Sequence, residues 1–169
     1  DLVIITHPHN DHIGGLKKIF ETFKIKKVYD TGYKTTSNMY RNLLLEIKKN
    51  HIDYAIAKEN DVLELDTDII ATVLSCNAVM PEKYANTNNS SIVLKLEFKK
   101  TAFILTGDAE EQIEKEIIKK HKNLNALVLK AGHHGSSSSS TQAFLDAIKP
   151  KFALISVGIN NGFKHPHQV

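Results

Sequence analysis

Four potential metal ligands within six residues, directly behind an apolar strand, constrain this chain more than any other feature. The run His7-Pro8-His9-Asn10-Asp11-His12 follows the strand-like apolar residues 2–5. Imidazole nitrogens and carboxylate oxygens are the ligands that hold zinc, manganese or iron. Alternate residues of an extended segment point the same way, so His7 and His9 can bind one ion. Asp11 and His12, beyond the turn, can then face a second ion about 3.5–4 Å away, the separation typical of two-metal hydrolases. A solvated loop that is rich in histidine by chance explains this pattern less well.

Asp108 is the second candidate, and it directly follows the apolar strand-like residues 103–105 and the pair Thr106-Gly107. A helix is predicted just after it, and Asp is favoured immediately before a first helical turn. Glu111, three residues on, fits the pattern of a capping box. Helix capping is therefore a serious alternative for Asp108 taken alone. Beside a metal-binding loop, however, a carboxylate that bridges two ions is the better prediction.

Two further histidine pairs follow predicted strands. In Gly132-His133-His134-Gly135 the flanking glycines let the backbone approach a ligand closely. Adjacent histidines of an extended segment face opposite ways, so we expect one metal ligand and one group that orients a ligand or contacts the substrate. A plain surface loop is the alternative. His165-Pro166-His167 supplies a ligand or a hydrogen bond to a substrate phosphate or carboxylate, and a purely structural loop explains it equally well.

Composition sets the frame for these motifs. The 169 residues suffice for one domain with a substantial core, and the net charge of +3 is too small to diagnose a nucleic-acid binder. A single cysteine, Cys76, excludes an internal disulfide and a cysteine-rich zinc site. The chain opens without a methionine, directly in a strand, and stops just after a histidine pair. We therefore expect residues 1–169 to be one domain that is incomplete at both ends.

Apolar periodicity predicts strands that alternate with helices, and one hairpin in the middle of the chain. We expect strands at 2–6, 25–29, 52–57, 62–65, 69–75, 91–98, 102–106, 126–129 and 152–157. Helices are expected around 16–23, 40–47, 113–118 and 144–148, with a polar loop over 76–89. Strict alternation over 91–98 indicates a half-exposed strand. The pattern is typical of an α/β or α+β sandwich in which helices cover sheets.

The motifs together resemble a known family. Residues 6–16 (THPHNDHIGGL) are similar to the signature of the metallo-β-lactamase superfamily. Within it, one branch is matched in order by NNSSIVL at 88–94, LTGDAE at 105–110, GHHGS at 132–136, ISVG at 155–158 and HPH at 165–167. That branch is the hydrolase domain of the bacterial DNA-uptake channel family ComEC, with its free-standing relatives.

The resemblance implies an αβ/βα sandwich of two facing sheets with the metals at one rim, and N-terminal strands that are missing from this fragment. By analogy with the family, His7 and His9 serve the first metal. Asp11 and His12 serve the second together with His134, which directly precedes a glycine, or else with His133. Asp108 bridges the two ions.

One departure from lactamase-type sites concerns the first metal. Those sites take a third histidine from the region between the first motif and the bridging Asp, where this chain has only His51. The first metal is then weak, absent, or completed by His165 or a water. The gap is expected for the ComEC branch, so it counts against a β-lactamase more than against catalysis.

The resemblance implies a hydrolase with one or two divalent ions, Zn or Mn, that cleaves phosphodiesters, with DNA in competence-type uptake as the leading substrate. Asp11 orients the nucleophile, and His133 or His165 protonates or stabilises the leaving oxygen. The alternatives are hydrolysis of a small phosphoester, thioester or lactone, and a metal-binding domain without turnover. A ComEC-like parent implies a bacterial protein with a membrane channel domain and this monomeric part on the outer face of the cell membrane; otherwise it is secreted or cytoplasmic.

Overall fold

The computed structural model describes residues 1–76, 82 and 85–168. Strands and helices alternate through most of the chain, as predicted, and the hairpins lie in its middle. The strands are β1 (Leu2–Ile5), β2 (Lys27–Asp30), β3 (Asp53–Ile56), β4 (Val62–Asp66), β5 (Ile69–Ser75), β6 (Val93–Phe98), β7 (Thr101–Leu105), β8 (Val128–Lys130) and β9 (Phe152–Leu154). The helices are α1 (Asn10–Ile13), α2 (Leu16–Thr22), α3 (Asn38–Lys49), α4 (Glu111–Lys120) and α5 (Gln142–Ile148).

The strands form two sheets. The first is parallel, in the order β1-β2-β3, and its connections return through α1 with α2 and through α3. The second has the order β4-β5-β6-β7-β8-β9. β4 to β7 are antiparallel, with hairpins joining β4 to β5 and β6 to β7 and a long connection over residues 76–92 joining β5 to β6. β7, β8 and β9 are parallel and are joined through α4 and α5.

Three apolar clusters show how the layers stack. One cluster packs α4 and α5 against the second sheet, with Ile113 and Phe144 fully buried. Another packs α1 and α3 against the first sheet around Val28. The third contains Val73 and Ile92 with partly buried side chains from both sheets, so it fills the space between them. The sandwich of two sheets with helices outside is therefore confirmed.

Two strand predictions need correction. The strand at 91–98 is not half-exposed along its length, because Val93 and Lys95 are as buried as Leu94 on the opposite face. The central place of β6 in a sheet that is covered on both faces explains this, since neither face of its first half meets water. The last strand is shorter than predicted and ends at Leu154. Part of the predicted polar loop at 76–89 lies outside the described residues.

The candidate site residues all lie in the segments that directly follow strands, and Asp11 and His12 fall within the short helix α1. The loop after β1 carries the first histidine run, the loops after β7 and β8 carry Asp108 and the histidine pair, and the loop after β9 carries His165. Because β1, β7, β8 and β9 end at one rim of the sandwich, these loops converge there. Across the described residues we find no helix whose length and apolar character would let it cross a bilayer.

Candidate metal centre

The first histidine run changes backbone conformation halfway, and this change splits its ligands into two pairs. His7 continues the extended chain of β1, and His9 is the last extended residue before α1 begins at Asn10. The His7 Nε2 and His9 Nδ1 atoms are 3.1 Å apart. Asp11 and His12 lie in the first turn of α1, where they group with His134, although the centroid of the His12 ring is only 4.1 Å from that of His7. The candidate ligand groups divide the run into the same two pairs, and metal binding by them stays a prediction.

His7 is fully buried, and two hydroxyl groups contact the far side of its ring. Its Nδ1 lies 3.3 Å from the Thr6 Oγ1 and 3.3 Å from the Ser91 Oγ. Burial, followed by the nearby His12 ring, lowers the pKa of His7 to about 3. His7 is therefore neutral near pH 7, which is the protonation state that a metal ligand requires.

One carboxylate oxygen of Asp108 lies close to three histidines. Its Oδ2 lies 3.2 Å from the His12 Nε2, 3.3 Å from the His134 Nε2 and 3.6 Å from the His7 Nε2. Burial alone would raise the pKa of Asp108, but the hydrogen bond from His12 and the surrounding histidines bring it below its usual range. The carboxyl group is thus an anion in the middle of an imidazole cluster.

The capping alternative for Asp108 is wrong. The residue that precedes the first turn of α4 is Glu110, and no side chain caps that turn. Asp108 instead sits two residues earlier, after Gly107, whose φ of 55° lies in the left-handed region. A Cβ on Gly107 would be 2.8 Å from the Ser91 Oγ, so glycine is required for this close approach. The Ser91 hydroxyl then accepts a hydrogen bond from the Asp108 backbone N–H.

The six residues predicted as metal ligands fall into two groups that share one carboxylate. One group is Asp11, His12, Asp108 and His134, and the other is His7, His9 and Asp108. Within each group the potential ligand atoms lie within 4.8 Å of one another. The structure thus brings together the residues of each expected ligand set, with His134 and not His133 beside Asp108, and metal binding by them stays a prediction.

The residues present fit a pair of divalent cations. The Asp108 Oδ1 is buried and has no hydrogen-bond partner among the described residues, while its Oδ2 is surrounded by imidazole nitrogens. A buried carboxylate oxygen without a partner is costly unless a cation satisfies it. Imidazole nitrogens within 3.1–3.2 Å of one another are likewise better explained by shared ligation than by hydrogen bonding alone.

The His133-His134 pair has an unusual backbone. Both residues have positive φ, 45° and 56°, in a short 3-10 turn between Gly132 and Gly135. Left-handed φ on consecutive non-glycine residues is strained and is found mainly at functional sites. The turn sends the two rings apart: His134 joins Asp108, and its Nδ1 donates to the Ser156 carbonyl oxygen at 2.7 Å. That hydrogen bond leaves the His134 Nε2 free to act as a ligand.

His133 lies outside both ligand groups, on the wall of the same pocket. Its Nδ1 is 3.6 Å from the Glu110 Oε1 and 3.4 Å from the Ser138 Oγ, and its Nε2 is 3.5 Å from the Asn88 Nδ2. Glu110 and Ser138 thus fix the ring orientation while Nε2 faces the pocket. The role of His133 as a group that contacts the substrate stays a prediction.

His165 also belongs to neither ligand group. Its ring centroid is 5.3 Å from that of His133 and 6.3 Å from that of His134. It therefore does not complete the His7–His9 group in this structure, and its predicted catalytic role stays a prediction. The pocket that these residues share has a volume of about 1390 Å³ and also contains Asn10, Ser37 and Phe163.

Sequence reasoning missed three residues around the site. Glu110 orients His133, and Lys130 joins two site loops by donating from its Nζ to the carbonyl oxygens of Gly107 and Ala131 at 3.0 and 3.1 Å. The signal for Lys130 was present, since a charged residue at the end of an apolar strand needs a partner. Phe163, which is highly exposed at the pocket rim, carried no signal because exposure depends on tertiary structure.

Comparison with known proteins identifies the family. A family profile described as "Metallo-beta-lactamase superfamily" matches residues 1–159. The chain belongs to the metallo-β-lactamase superfamily. The solved structure of CmlA, a diiron beta-hydroxylase from Streptomyces venezuelae, superposes with a TM-score of 0.58 over 90% of this chain and 34% of its own, at 14% sequence identity. At that identity the likeness supports the fold alone.

Curated relatives confirm the resemblance to the ComEC family. ComE operon protein 3 of Bacillus subtilis is 36% identical over 168 residues, which are 99% of this chain and 21% of that protein. Recombination protein 2 of Haemophilus influenzae is 27% identical over 98% of this chain and 18% of its own length. This metallo-β-lactamase chain thus spans about a fifth of the length of these relatives.

Proposed function

We propose that this chain is a metal-dependent phosphodiesterase that cleaves DNA as part of a competence-type DNA-uptake system. One observation carries the proposal: a single buried carboxylate, Asp108, lies between two groups of metal ligands at the wall of a large pocket. Two ions that share a carboxylate are the arrangement that in-line displacement at phosphorus uses. The resemblance to the ComEC DNA-uptake family and the name of the relative Recombination protein 2 favour DNA as the substrate.

The chain's own residues divide the work of such a reaction. Divalent ions bound here, with Zn and Mn as the proposed metals, would lower the pKa of water and offset the charge that develops on the phosphoryl oxygens. Asp11 is 62% exposed although its Oδ2 lies 3.1 Å from the His134 Nε2, so it can hydrogen-bond the attacking water from the open side of the pocket. His133, fixed by Glu110, places its Nε2 toward the leaving oxygen and exchanges a proton there. His165, whose ring meets that of His133 edge-on at 5.3 Å between centroids, would stabilise the same group.

The setting of the reaction follows from the same family. We propose that the parent protein is bacterial, carries a membrane channel domain, and holds this monomeric part at the outer face of the cell membrane. Single-stranded DNA at the mouth of a channel would reach the pocket there.

The double substitution Asp11→Ala with His12→Ala tests both the site and the activity. Because two of the four ligands of one group are lost, we expect elemental analysis to find at least one metal ion fewer per chain after loading with Zn or Mn. Hydrolysis of bis-p-nitrophenyl phosphate and of single-stranded DNA should fall at least about 100-fold. The matched control combines Asp68→Ala with His51→Asn, which are exposed positions of the same residue types away from the pocket.

The outcomes separate the alternatives. Unchanged metal content in the double variant would contradict the ligand assignment. Turnover of a thioester or lactone by the metal-loaded wild-type protein, without cleavage of either phosphodiester, would favour a small-molecule hydrolase. Metal binding without turnover of any of these substrates would make the chain a metal-binding domain.

A further inference from the structure

Phe163 is a large aromatic side chain at the rim of the pocket, and 79% of it is exposed. Exposing most of a phenylalanine side chain to water is unfavourable, so an exposed one beside a candidate active site suggests a binding role. Among the described residues, Met39 and Val157 are also exposed at this pocket, but at 42% and 39% they are less exposed than Phe163, and neither is aromatic. Phe98, in the β6–β7 hairpin, is exposed away from the pocket.

The Phe163 ring is the outermost of three nearly parallel rings. It is inclined by 22° to the His165 ring, at 5.8 Å between centroids, and His165 is inclined by 21° to the ring of His134, at 6.3 Å. The row therefore runs from a proposed metal ligand to the open rim of the pocket. A flat aromatic ligand on Phe163 would continue this row and would remain next to the ligand cluster.

The loop that presents Phe163 is held in place by its own hydrogen bonds. The Asn161 side chain donates to the carbonyl oxygens of Gly158 and His165 and accepts from the His165 backbone N–H. The His167 Nδ1 accepts from the backbone N–H of Ser137, which leaves its Nε2 to donate to the Phe163 carbonyl oxygen at 3.1 Å. A side chain on a fixed loop loses little conformational entropy when it binds a ligand.

The remaining chemistry of the pocket points to the same kind of ligand. No lysine or arginine belongs to the pocket wall among the residues that the structure describes. Contacts to the phosphates of a polynucleotide would then be few, and contacts to the bases must supply more of the affinity. The volume of about 1390 Å³ also exceeds the usual size of a small-molecule pocket, up to about 1,000 Å³.

We propose that Phe163 is a stacking platform for one nucleobase of a single-stranded nucleic acid that lies across the pocket. Bases of a single strand have free faces, whereas those of a duplex are covered by their neighbours. That the adjoining phosphodiester is the bond to be cleaved rests on the proposed function. The stacking itself does not.

Fluorescence gives the direct test, because this chain contains no tryptophan. In Phe163→Trp the only indole of the chain lies at the platform, and Phe98→Trp serves as the matched control. We expect phosphorothioate-linked oligothymidine to quench the emission of Phe163→Trp and to leave that of Phe98→Trp unchanged. A fully abasic strand of the same length and a blunt duplex should quench neither variant. Absence of quenching by oligothymidine in both metal-loaded and metal-free protein would overturn the proposal, and so would equal quenching by the abasic strand.

Binding of a fluorescein-labelled oligothymidine gives the magnitude. Phe163→Ala should weaken it about five- to tenfold, near the lower limit for loss of one stacked base because the platform is open to solvent. Phe163→Trp should restore the affinity, and Phe98→Ala should not change it. If wild-type protein hydrolyses DNA but Phe163→Ala binds as tightly as wild type, the platform is wrong and the proposed function stands. If quenching occurs without hydrolysis, the platform stands and the phosphodiesterase proposal fails.

Discussion

Cys76 is a single thiol beside a buried carboxylate, and its surroundings make it chemically quiet. Its side chain packs partly buried against the cluster between the sheets. Burial, with a smaller contribution from the charge of Asp30, raises the pKa of Cys76 to about 11, although a hydrogen bond with Thr31 opposes the shift. The thiolate, which is the reactive form, is therefore scarce near neutral pH.

This environment predicts slow modification of Cys76. At pH 8 the native protein should react with iodoacetamide more than about 100-fold slower than the same protein in guanidinium chloride, where the thiol pKa returns to about 8.5. Mass spectrometry of timed samples measures both rates. A native rate within tenfold of the unfolded one would mean that the thiol is accessible and ionised.

The residues predicted from sequence share one property: their signal is local. His7, His9, Asp11 and His12 stand together in one run, and their chemistry is visible without any fold. Phe163 and Glu110 could not be found in this way. The role of Glu110 depends on His133, 23 positions later, and that of Phe163 depends on its exposure in the folded chain.

At the scale of elements, hydrogen bonds from Lys130 connect the loops after β7 and β8. Lys130 ends β8, and its Nζ donates to a carbonyl oxygen in each loop. Burial lowers the pKa of Lys130, and the charge of Asp108 partly offsets this. The ammonium group thus fixes the distance between the bridging carboxylate and the histidine turn.

Lys130→Met should therefore weaken metal binding and not only lower the stability of the fold. We expect the dissociation constant for Zn or Mn, measured by chelator competition, to rise about tenfold, the lower limit for residues that orient metal ligands. Lys95→Met is the matched control, because Lys95 is also a buried lysine of the second sheet but donates to Asn123 and pairs with Glu97. Urea unfolding of the metal-free variants reports the stability cost of each. Equal metal affinity in the two variants would show that Lys130 serves stability only.

The strands and helices were predictable because hydrophobic periodicity reports which face of an element is buried. The prediction of a half-exposed strand failed for β6, because Lys95 is buried although a lysine is usually exposed. A lysine within a strand predicts that its face of the strand is exposed. Inside the fold, however, the Asn123 carbonyl oxygen and the Glu97 carboxylate satisfy the Lys95 ammonium group. Lys95 and its partner Asn123 come together only in the tertiary structure, so no local sequence pattern predicts this contact.

At the scale of the whole molecule, the candidate ligands come from both sheets. His7 and His12 follow a strand of the first sheet, whereas Asp108 and His134 follow strands of the second. Ions held by all of them would cross-link the two layers at one rim. Metal binding should therefore be coupled to the stability of the entire sandwich.

Metal loading should raise the melting temperature. At a free ion concentration 100-fold above its dissociation constant, binding adds about 2.7 kcal/mol, or about 5–10 °C for a chain of this size. Differential scanning fluorimetry with Zn, with Mn and with EDTA measures the shift. The variant Asp11→Ala with His12→Ala should show less than half of it. A full shift in that variant would place the stabilising ion elsewhere.

The left-handed turn at His133 and His134 also limits which substitutions these two positions can accept during evolution. Where the backbone must keep positive φ, asparagine, aspartate and glycine are tolerated better than alanine or any branched residue. Descendants that lose hydrolysis while keeping the loop should thus carry His133→Asn or His133→Gly far more often than His133→Ala. The turn would leave a recognisable trace of its geometry in lineages where its chemistry has gone.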